Sequence, residues 1–398
     1  MSFQNVRRRR PCILEVGDEL IPDLAALFSG SIRLEVNLKI WLLCPLRGER
    51  LALTADELQL IAQLPAEQWT AVDALQEAGR TQAQIEALAA RGLLTSDAEQ
   101  GPLRELREQE ERLHAMGWHG LAAVYHARTR WSGIRGDEGS RDHSEEAHLA
   151  RLAETVEKHG LPPPHLPEHD AGLPRVPLPA PAARGPLWDV LRSRTTTRAF
   201  RTREWLKLDA LSDVLKASFA PLGQRALGPG LVALRRASPS GGGLHPIEAY
   251  VLAVRVDGLA PGLYHYEGAA HRLAQLRSFD EAQARRHIED FTIGQTFFAE
   301  AHALVFHVAR AHRNFWKYRR HPKAYKVLFT DAGHLSQTFY LAAASLGLGA
   351  FYTGAVNDAD VCEWLGLDAL THVVIGANGL GEIDPERNEL HLRPQPMP

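Results

Sequence analysis

The stretch FWKYRRHPKAYKVLFTDAGHLSQTFYLAAASLGLGA, residues 315–350, decides how this chain folds. From Tyr325 to Leu346 its apolar residues (Leu328, Phe329, Ala332, Leu335, Phe339, Leu341, Ala342, Ala343) fall on most faces of one long helix. A helix apolar nearly all round is buried on more than one side, which suits a domain core or a subunit interface. Gly347 and Gly349 stop it, and Ala350–Thr353 reads as a short strand that ends on Gly354. Upstream, Leu208–Phe219 reads as an amphipathic helix and Ala249–Val254 as an apolar strand. A hairpin follows around Glu267-Gly268, then a helix over Phe279–Phe291 and a strand over Ala303–Val308. Val373–Ile375 is a further strand. The expected class is α+β, with helices around a mainly antiparallel sheet over residues 187–398.

Residues 161–186 hold nine of the 24 prolines. Proline fixes φ and removes a donor, so this segment reads as a semi-extended linker. Residues 106–160 read as a connector of charged amphipathic helices. Residues 1–105 read as a winged-helix-like module. Short strands are expected within 32–50, then a capping-box helix starting at Thr54, a second over Thr70–Ala78 and a third over Thr81–Gly92. The third helix carries one Arg and one Glu, a poor face for phosphates, so peptide docking is favoured over DNA binding.

A formal net charge of −3 argues against a nucleic-acid coat or a membrane-surface protein. Three scattered cysteines, Cys12, Cys44 and Cys362, support neither a disulfide framework nor a thiolate metal site, and no metal is expected. Glu15, Asp18, Glu19 and Asp23 interrupt any signal-peptide core after Arg7–Arg10, so that arginine run is expected to be a solvated arm of a cytoplasmic protein. No run of about 18 apolar residues marks a membrane span.

Five clusters carry candidate chemistry. In Arg194-Thr195-Thr196-Thr197-Arg198, alternate residues of an extended segment share a face, so Arg194, Thr196 and Arg198 can converge on one anion. Ser238-Pro239-Ser240-Gly241-Gly242-Gly243-Leu244-His245-Pro246 permits close backbone approach to a flat ligand, without the glycine–helix pattern of a dinucleotide fold. Lys317-Tyr318 is a candidate acid–base pair. Asp331-Ala332-Gly333-His334 lies within the long helix, and a lone helical histidine is more often packed than ligating. Thr353-Gly354 ends a strand whose N–H groups can face a ring. Each cluster alone also fits an ordinary polar loop or cap.

In order and spacing these clusters resemble the nitroreductase superfamily. Within it the chain looks like the SagB-type (McbC-like) thiazole/oxazole dehydrogenases of peptide natural-product pathways. The stretches SPSGGGLHPIEAYVLAV (238–254), GLYHYEG (262–268), 315–350 and AAVYHARTR (122–130) carry the resemblance. It covers the C-terminal half well and the N-terminal part more loosely, as the winged-helix-like peptide clamp such enzymes can carry. The resemblance implies FMN bound at a homodimer interface. Arg194, Thr196 and Arg198 match its phosphate and ring-edge contacts. Pro239, Ser240 and Gly241 match the loop beside the flavin, and Thr353 and Gly354 the segment facing its N5 side. Lys317 and Tyr318 match the catalytic pair of azoline dehydrogenases.

The implied reaction is oxidation of a peptide thiazoline or oxazoline, with hydride passing to flavin N5, on a precursor peptide and alongside a cyclodehydratase. The chain departs from the family at Gly243-Leu244-His245-Pro246, where Ala-Leu-Tyr-Pro is usual. It departs again in 373–394, which lacks the usual Gly-Arg-Pro ending and leaves Arg387 as the candidate second phosphate cation. Such departures bear on the substrate more than on the cofactor and fit a divergent peptide maturation dehydrogenase. A stand-alone NAD(P)H-dependent nitroreductase or flavin reductase is the second reading, although such enzymes lack the N-terminal module and the Lys-Tyr pair. A non-catalytic peptide-docking protein with a degenerate flavin fold is the third.

Overall fold

The computed structural model describes residues 3–46, 48, 50–136, 145–164, 173–179 and 183–388. The chain divides into two compact units. Unit 1 is Met1–Arg130 with Arg310–Val327, and unit 2 is Trp131–Ala309 with Leu328–Pro398.

Unit 1 opens with β1 (Asn5–Arg8), followed by β2 (Ile13–Pro22), α1 (Leu24–Phe28), β3 (Leu34–Leu43) and β4 (Arg50–Leu53). Then come α2 (Ala55–Gln63), β5 (Thr70–Ala71), α3 (Val72–Glu77), α4 (Gln82–Ala90), β6 (Leu94–Ser96), α5 (Gly101–Ala115) and α6 (Gly120–Thr129). The three short helices expected from the sequence are therefore present. Thr54 with Glu57, and Thr81 with Gln84, close capping boxes on α2 and α4. Leu60, Ile61, Val72, Ile85 and Leu88 pack with Val6 and Leu94 into one core.

The arginine run is not a solvated arm. β1 is the middle strand of the sheet β5-β1-β6, so its backbone is paired on both sides and its side chains alternate between faces. Arg7 and Arg9 are buried. Arg7 lies 3.1 Å from the fully buried carboxylate of Glu110, and Arg10 adds a second contact to it at 3.3 Å. Burial of Arg7 is tolerated because that carboxylate neutralises it, whereas Arg9 donates to Cys44 Sγ at 2.7 Å.

The region expected to hold short strands is one ten-residue strand, β3, paired along its length with β2 from Ile13↔Leu43 to Pro22↔Leu34. β4 covers only Ile40–Leu43 of it. Opposite residues of an antiparallel pair share a face. One face of this ribbon therefore carries Leu14, Val16, Leu20, Leu34, Val36 and Leu38, all exposed, whereas the other carries Glu15, Glu19 and Lys39.

Unit 2 continues with α7 (Glu145–His159), α8 (Pro186–Ser193), α9 (Leu208–Phe219), the hairpin β7 (Gly223–Gly228) and β8 (Leu231–Arg235), β9 (Ile247–Ala253), β10 (Gly262–Glu267), β11 (Arg272–Ser278), α10 (Glu281–Phe291) and β12 (Ala303–Arg310). α11 (Ala311–Lys317) belongs to unit 1. α12 (Ala324–Ser345), from Leu328 on, returns to unit 2, followed by β13 (Gly349–Thr353), α13 (Asp358–Trp364) and β14 (His372–Gly381). A six-stranded sheet, β11-β10-β9-β12-β14-β13, forms the middle. β9 pairs antiparallel with both β10 and β12, and β13 with β14. β9 and β12 are buried on both faces, and Leu252, Phe306, Phe351 and Val361 lie in one core with Phe200 and Ile288.

Within the linker expected over 161–186, residues 165–172 and 180–182 lie outside those described. Its described residues before Pro186 form neither helix nor strand, and α8 starts at Pro186. The positions from 389 onward also lie outside. α12 differs from the multi-sided burial expected of it. Leu328, Ala332, Leu335, Phe339 and Ala343 are buried, but Phe329, Thr330, Gly333, His334 and Gln337 form an exposed strip. Its apolar residues are enough for one sheet-facing side, and Thr, Gly, His and Gln occupy the other. No helix among the described residues is long and apolar enough to cross a membrane.

Candidate functional site

α12 gathers the candidate segments of unit 2. Its Asp331, 2% exposed, accepts from Ser240 Oγ at 2.5 Å and from the Gly241 N–H at 2.9 Å. Ser240 Oγ in turn accepts from the His245 N–H at 2.9 Å. Ser238 Oγ donates to the His334 carbonyl at 3.2 Å and lies 2.6 Å from Thr338 Oγ1. The loop 238–246 is thus pinned at both serines. Between them and His245 the chain makes a tight turn in which Gly242 has φ 64° and Gly243 φ 68°, values that a side chain disfavours.

The segment 194–198 leaves α8 extended. Arg194, Thr196 and Arg198 are half-buried and Thr197 is fully buried, so the first three share a face and Thr197 points away from it. The Thr197 N–H donates to the Ala350 carbonyl at 2.8 Å. Its side chain presses on β13 so closely that a Cβ at Gly349 would lie 2.7 Å from it. Thr196 Oγ1 is 3.3 Å from the Tyr340 hydroxyl, and the Arg194 guanidinium is 5.5 Å from the Tyr340 ring centre. The Arg198 N–H donates to Asn388 Oδ1 at 3.0 Å. Among the described residues neither Arg194 nor Arg198 forms an ion pair with a carboxylate. Two guanidiniums and a hydroxyl on one face, without a protein anion, are the donor set of a phosphate site.

The third segment ends β13. Thr353 pairs with Ala377, and its Oγ1 accepts from the Ala355 N–H at 3.1 Å. Open space lies where a Cβ of Gly354 would stand. Asn378 donates to the Phe351 carbonyl at 2.8 Å and to Ser336 Oγ on α12 at 3.2 Å. One helix therefore ties all three segments: Asp331 holds the glycine loop, Ser336 the strand end, and Tyr340 the arginine segment. The donor set and the uncovered backbone at Gly354 fit a flat cofactor that carries a phosphate.

Arg387, the expected second phosphate cation, is engaged elsewhere. It lies 2.6 Å from Glu300 and 3.7 Å from Asp384, and the Glu300 hydrogen bond raises its pKa. Ser336, Tyr340 and Asn378 were not singled out as site residues, and Asp331, although within a candidate cluster, was given no role in the site.

Lys317 and Tyr318 belong to unit 1. Lys317 is the exposed last residue of α11 and Tyr318 its half-buried C-cap, with Lys317 Nζ 5.7 Å from the Tyr318 ring centre. α11 is fixed by Phe315 against Trp118, with ring centres 4.5 Å apart. The next helix is fixed by the Tyr325 hydroxyl, 3.0 Å from His126 Nδ1.

Residues 191–382 match the model of the Nitroreductase family. The trifolitoxin-processing protein TfxB of Rhizobium leguminosarum bv. trifolii is 34% identical over 155 residues, 36% of this chain and 39% of TfxB. This chain thus spans well under half of that relative. MJ1384 of Methanocaldococcus jannaschii, a nitroreductase by name, is 29% identical over 179 residues, 45% of this chain and 83% of its own. Among solved structures, a chain of the E. coli microcin synthetase McbBCD complex with truncated pro-MccB17 bound has the same fold. It is 18% identical with a TM-score of 0.50, and the match covers 72% of this chain and 99% of that one.

Proposed function

Since residues 191–382 are a nitroreductase family domain, we propose that the protein is an FMN-dependent dehydrogenase of ribosomal peptide maturation. Its substrate would be a peptide azoline, oxidised from thiazoline or oxazoline to the aromatic ring. The observation that carries this reading is the convergence on α12 of a carboxylate-free arginine pair, a pinned glycine loop and an open strand end.

Arg194, Thr196 and Arg198 would hold the FMN phosphate and ring edge. Pro239, Ser240 and Gly241 would line the ring, with Asp331 fixing the direction of the Ser240 hydroxyl and the Gly241 N–H. Thr353 and Gly354 would leave the other side of the ring uncovered. When bound, FMN supplies a two-electron acceptor. Lys317 Nζ would take the proton from the ring carbon of the substrate, with the Tyr318 hydroxyl as its partner in proton transfer. A peptide substrate is supported by the relative that processes trifolitoxin and by the Lys-Tyr pair.

A second copy of the chain is the expected partner of unit 2. α8 turns Leu187, Trp188 and Leu191 outward and buries no residue of its own. A precursor peptide and a cyclodehydratase complete the proposed partners. The reading is tested by incubating the full chain, FMN and oxygen with an azoline-containing peptide. It expects a peptide product lighter by one pair of hydrogens. An unchanged peptide, together with rapid NADPH oxidation by a nitroarene, would assign the protein to the stand-alone nitroreductases instead.

A further inference from the structure

We propose that unit 1 carries an oxyanion-binding site, separate from the residues assigned above, that takes a carboxylate or a phosphate. A cavity of about 350 Å³ opens beside the end of β1, lined by Arg8, Arg10 and Arg320 with two histidines, His114 and His119. That volume is ample for a small ligand.

Charge balance points to an anion. The one acid in the lining, Glu67, is already paired with Arg10 at 2.7 Å, and Arg10 also reaches the buried Glu110. Arg8 and Arg320 have no carboxylate partner among the described residues. Arg8 Nε is buried without a hydrogen-bond partner, and so is His119 Nδ1. Buried polar atoms left this way are costly unless something outside the chain pairs with them, and Arg8 Nε can only donate.

Arg320 is held in place at a cost to its backbone. Its φ is 53°, a left-handed value that disfavours any residue with a side chain. Its N–H donates to the Gly117 carbonyl at 2.7 Å, and its guanidinium lies 2.6 Å from His114 Nε2. A guanidinium only donates, so His114 Nε2 must accept and the ring is neutral. Burial lowers the His114 pKa, and Arg10 and Arg320 lower it further. His114 thus orients Arg320 without neutralising it. Pro11 and Trp118 give the cavity an apolar wall, and Gly120 lets the chain pass so close that a Cβ there would lie 2.6 Å from Pro11.

Cys12 also lines the cavity and is half-buried; burial raises its thiol pKa, and nearby Arg8 opposes that rise. It is therefore a built-in reporter. The experiment measures iodoacetamide alkylation of Cys12 in the full chain by peptide mass spectrometry, with the buried Cys44 and Cys362 as internal controls. Inorganic phosphate and an acetylated diglutamate peptide are titrated separately at constant ionic strength.

The site predicts that at least one of the two slows Cys12 alkylation saturably, by about tenfold, the scale of one charge paired beside a half-buried group. Protection by phosphate alone identifies a free anion as the source of the oxyanion. Protection by the peptide alone identifies a peptide-borne carboxylate. Arg320→Gly should abolish the protection, and it relieves the left-handed backbone, so lost folding does not explain the loss. Arg8→Gln should do the same. No saturable protection by either anion, or protection that survives in both variants, overturns the proposal. The outcome does not depend on the redox reading of unit 2.

Discussion

At the residue scale, the reading of unit 2 depends on a few side chains whose partners are known and on two guanidiniums, Arg194 and Arg198, that form no ion pair among the described residues. Replacing Arg198 by Ala removes a guanidinium that forms no ion pair among the described residues, so the fold should be unchanged. FMN affinity should fall by about tenfold or more, the scale of one charge-assisted phosphate contact. Flavin retained after gel filtration measures it. Lys317→Ala should retain FMN and lose turnover, and a variant that oxidises azoline peptide at the wild-type rate would remove Lys317 from the mechanism.

His307, buried in β12 between Phe219 and Tyr352, gives a pH prediction. Burial depresses its pKa to about 4. In the unfolded chain it titrates near the ordinary histidine value, about 6.5. Between these values the unfolded state binds the proton and the folded state does not. The stability that depends on neutral His307 is thus complete above about pH 6.5 and is lost as pH falls toward 4. His307→Phe should flatten that part of the unfolding profile, read by chemical denaturation at a series of pH values.

At the element scale, α12 was legible because its apolar run is long and bounded by Gly347 and Gly349. Its partners were not. Hydrogen bonds from Ser240, Asn378 and Thr196 reach it from segments 42 to 144 residues away in the chain, and no local pattern encodes such pairings. β1 was misread for a related reason. Four arginines look solvated until the sheet order places their strand in the middle and Glu110 inside the unit. Glu110→Ala should therefore cost about 3–5 kcal/mol, because it leaves buried Arg7 with only the more distant, exposed Glu111.

The β2 half of the β2–β3 ribbon was missed because Glu15, Asp18 and Glu19 interrupt its apolar residues, although Glu15 and Glu19 alternate with Leu14, Val16 and Leu20 as a one-sided strand requires. Its exposed apolar face separates burial from composition. Leu42→Ala, at a fully buried site in the same strand, should cost about 2–5 kcal/mol. Val36→Thr, at an exposed one, should change stability by less than about 0.5 kcal/mol. Urea unfolding of the two variants checks the contrast.

At the scale of the whole molecule, the sequence suffices to find a nitroreductase-like half because its motifs recur in a fixed order, and the family match over 191–382 bears this out. It does not suffice to divide the chain. The segment 310–327 lies between β12 and the main part of α12 in sequence, yet it packs with the N-terminal unit, so contiguous boundaries could not describe the two units. The likeness of fold also reaches past the family domain, since the McbBCD chain matches 72% of this one.

The central claim is that unit 2 is a flavin cradle serving peptide oxidation. The visible spectrum of the purified full chain, recorded without oxygen before and after an azoline peptide is added, tests it most directly. The account predicts flavin bands at one FMN per chain that bleach on addition of the peptide and return with oxygen. A colourless protein that takes up no added FMN, or flavin bands that NADPH bleaches and the peptide leaves intact, would contradict it.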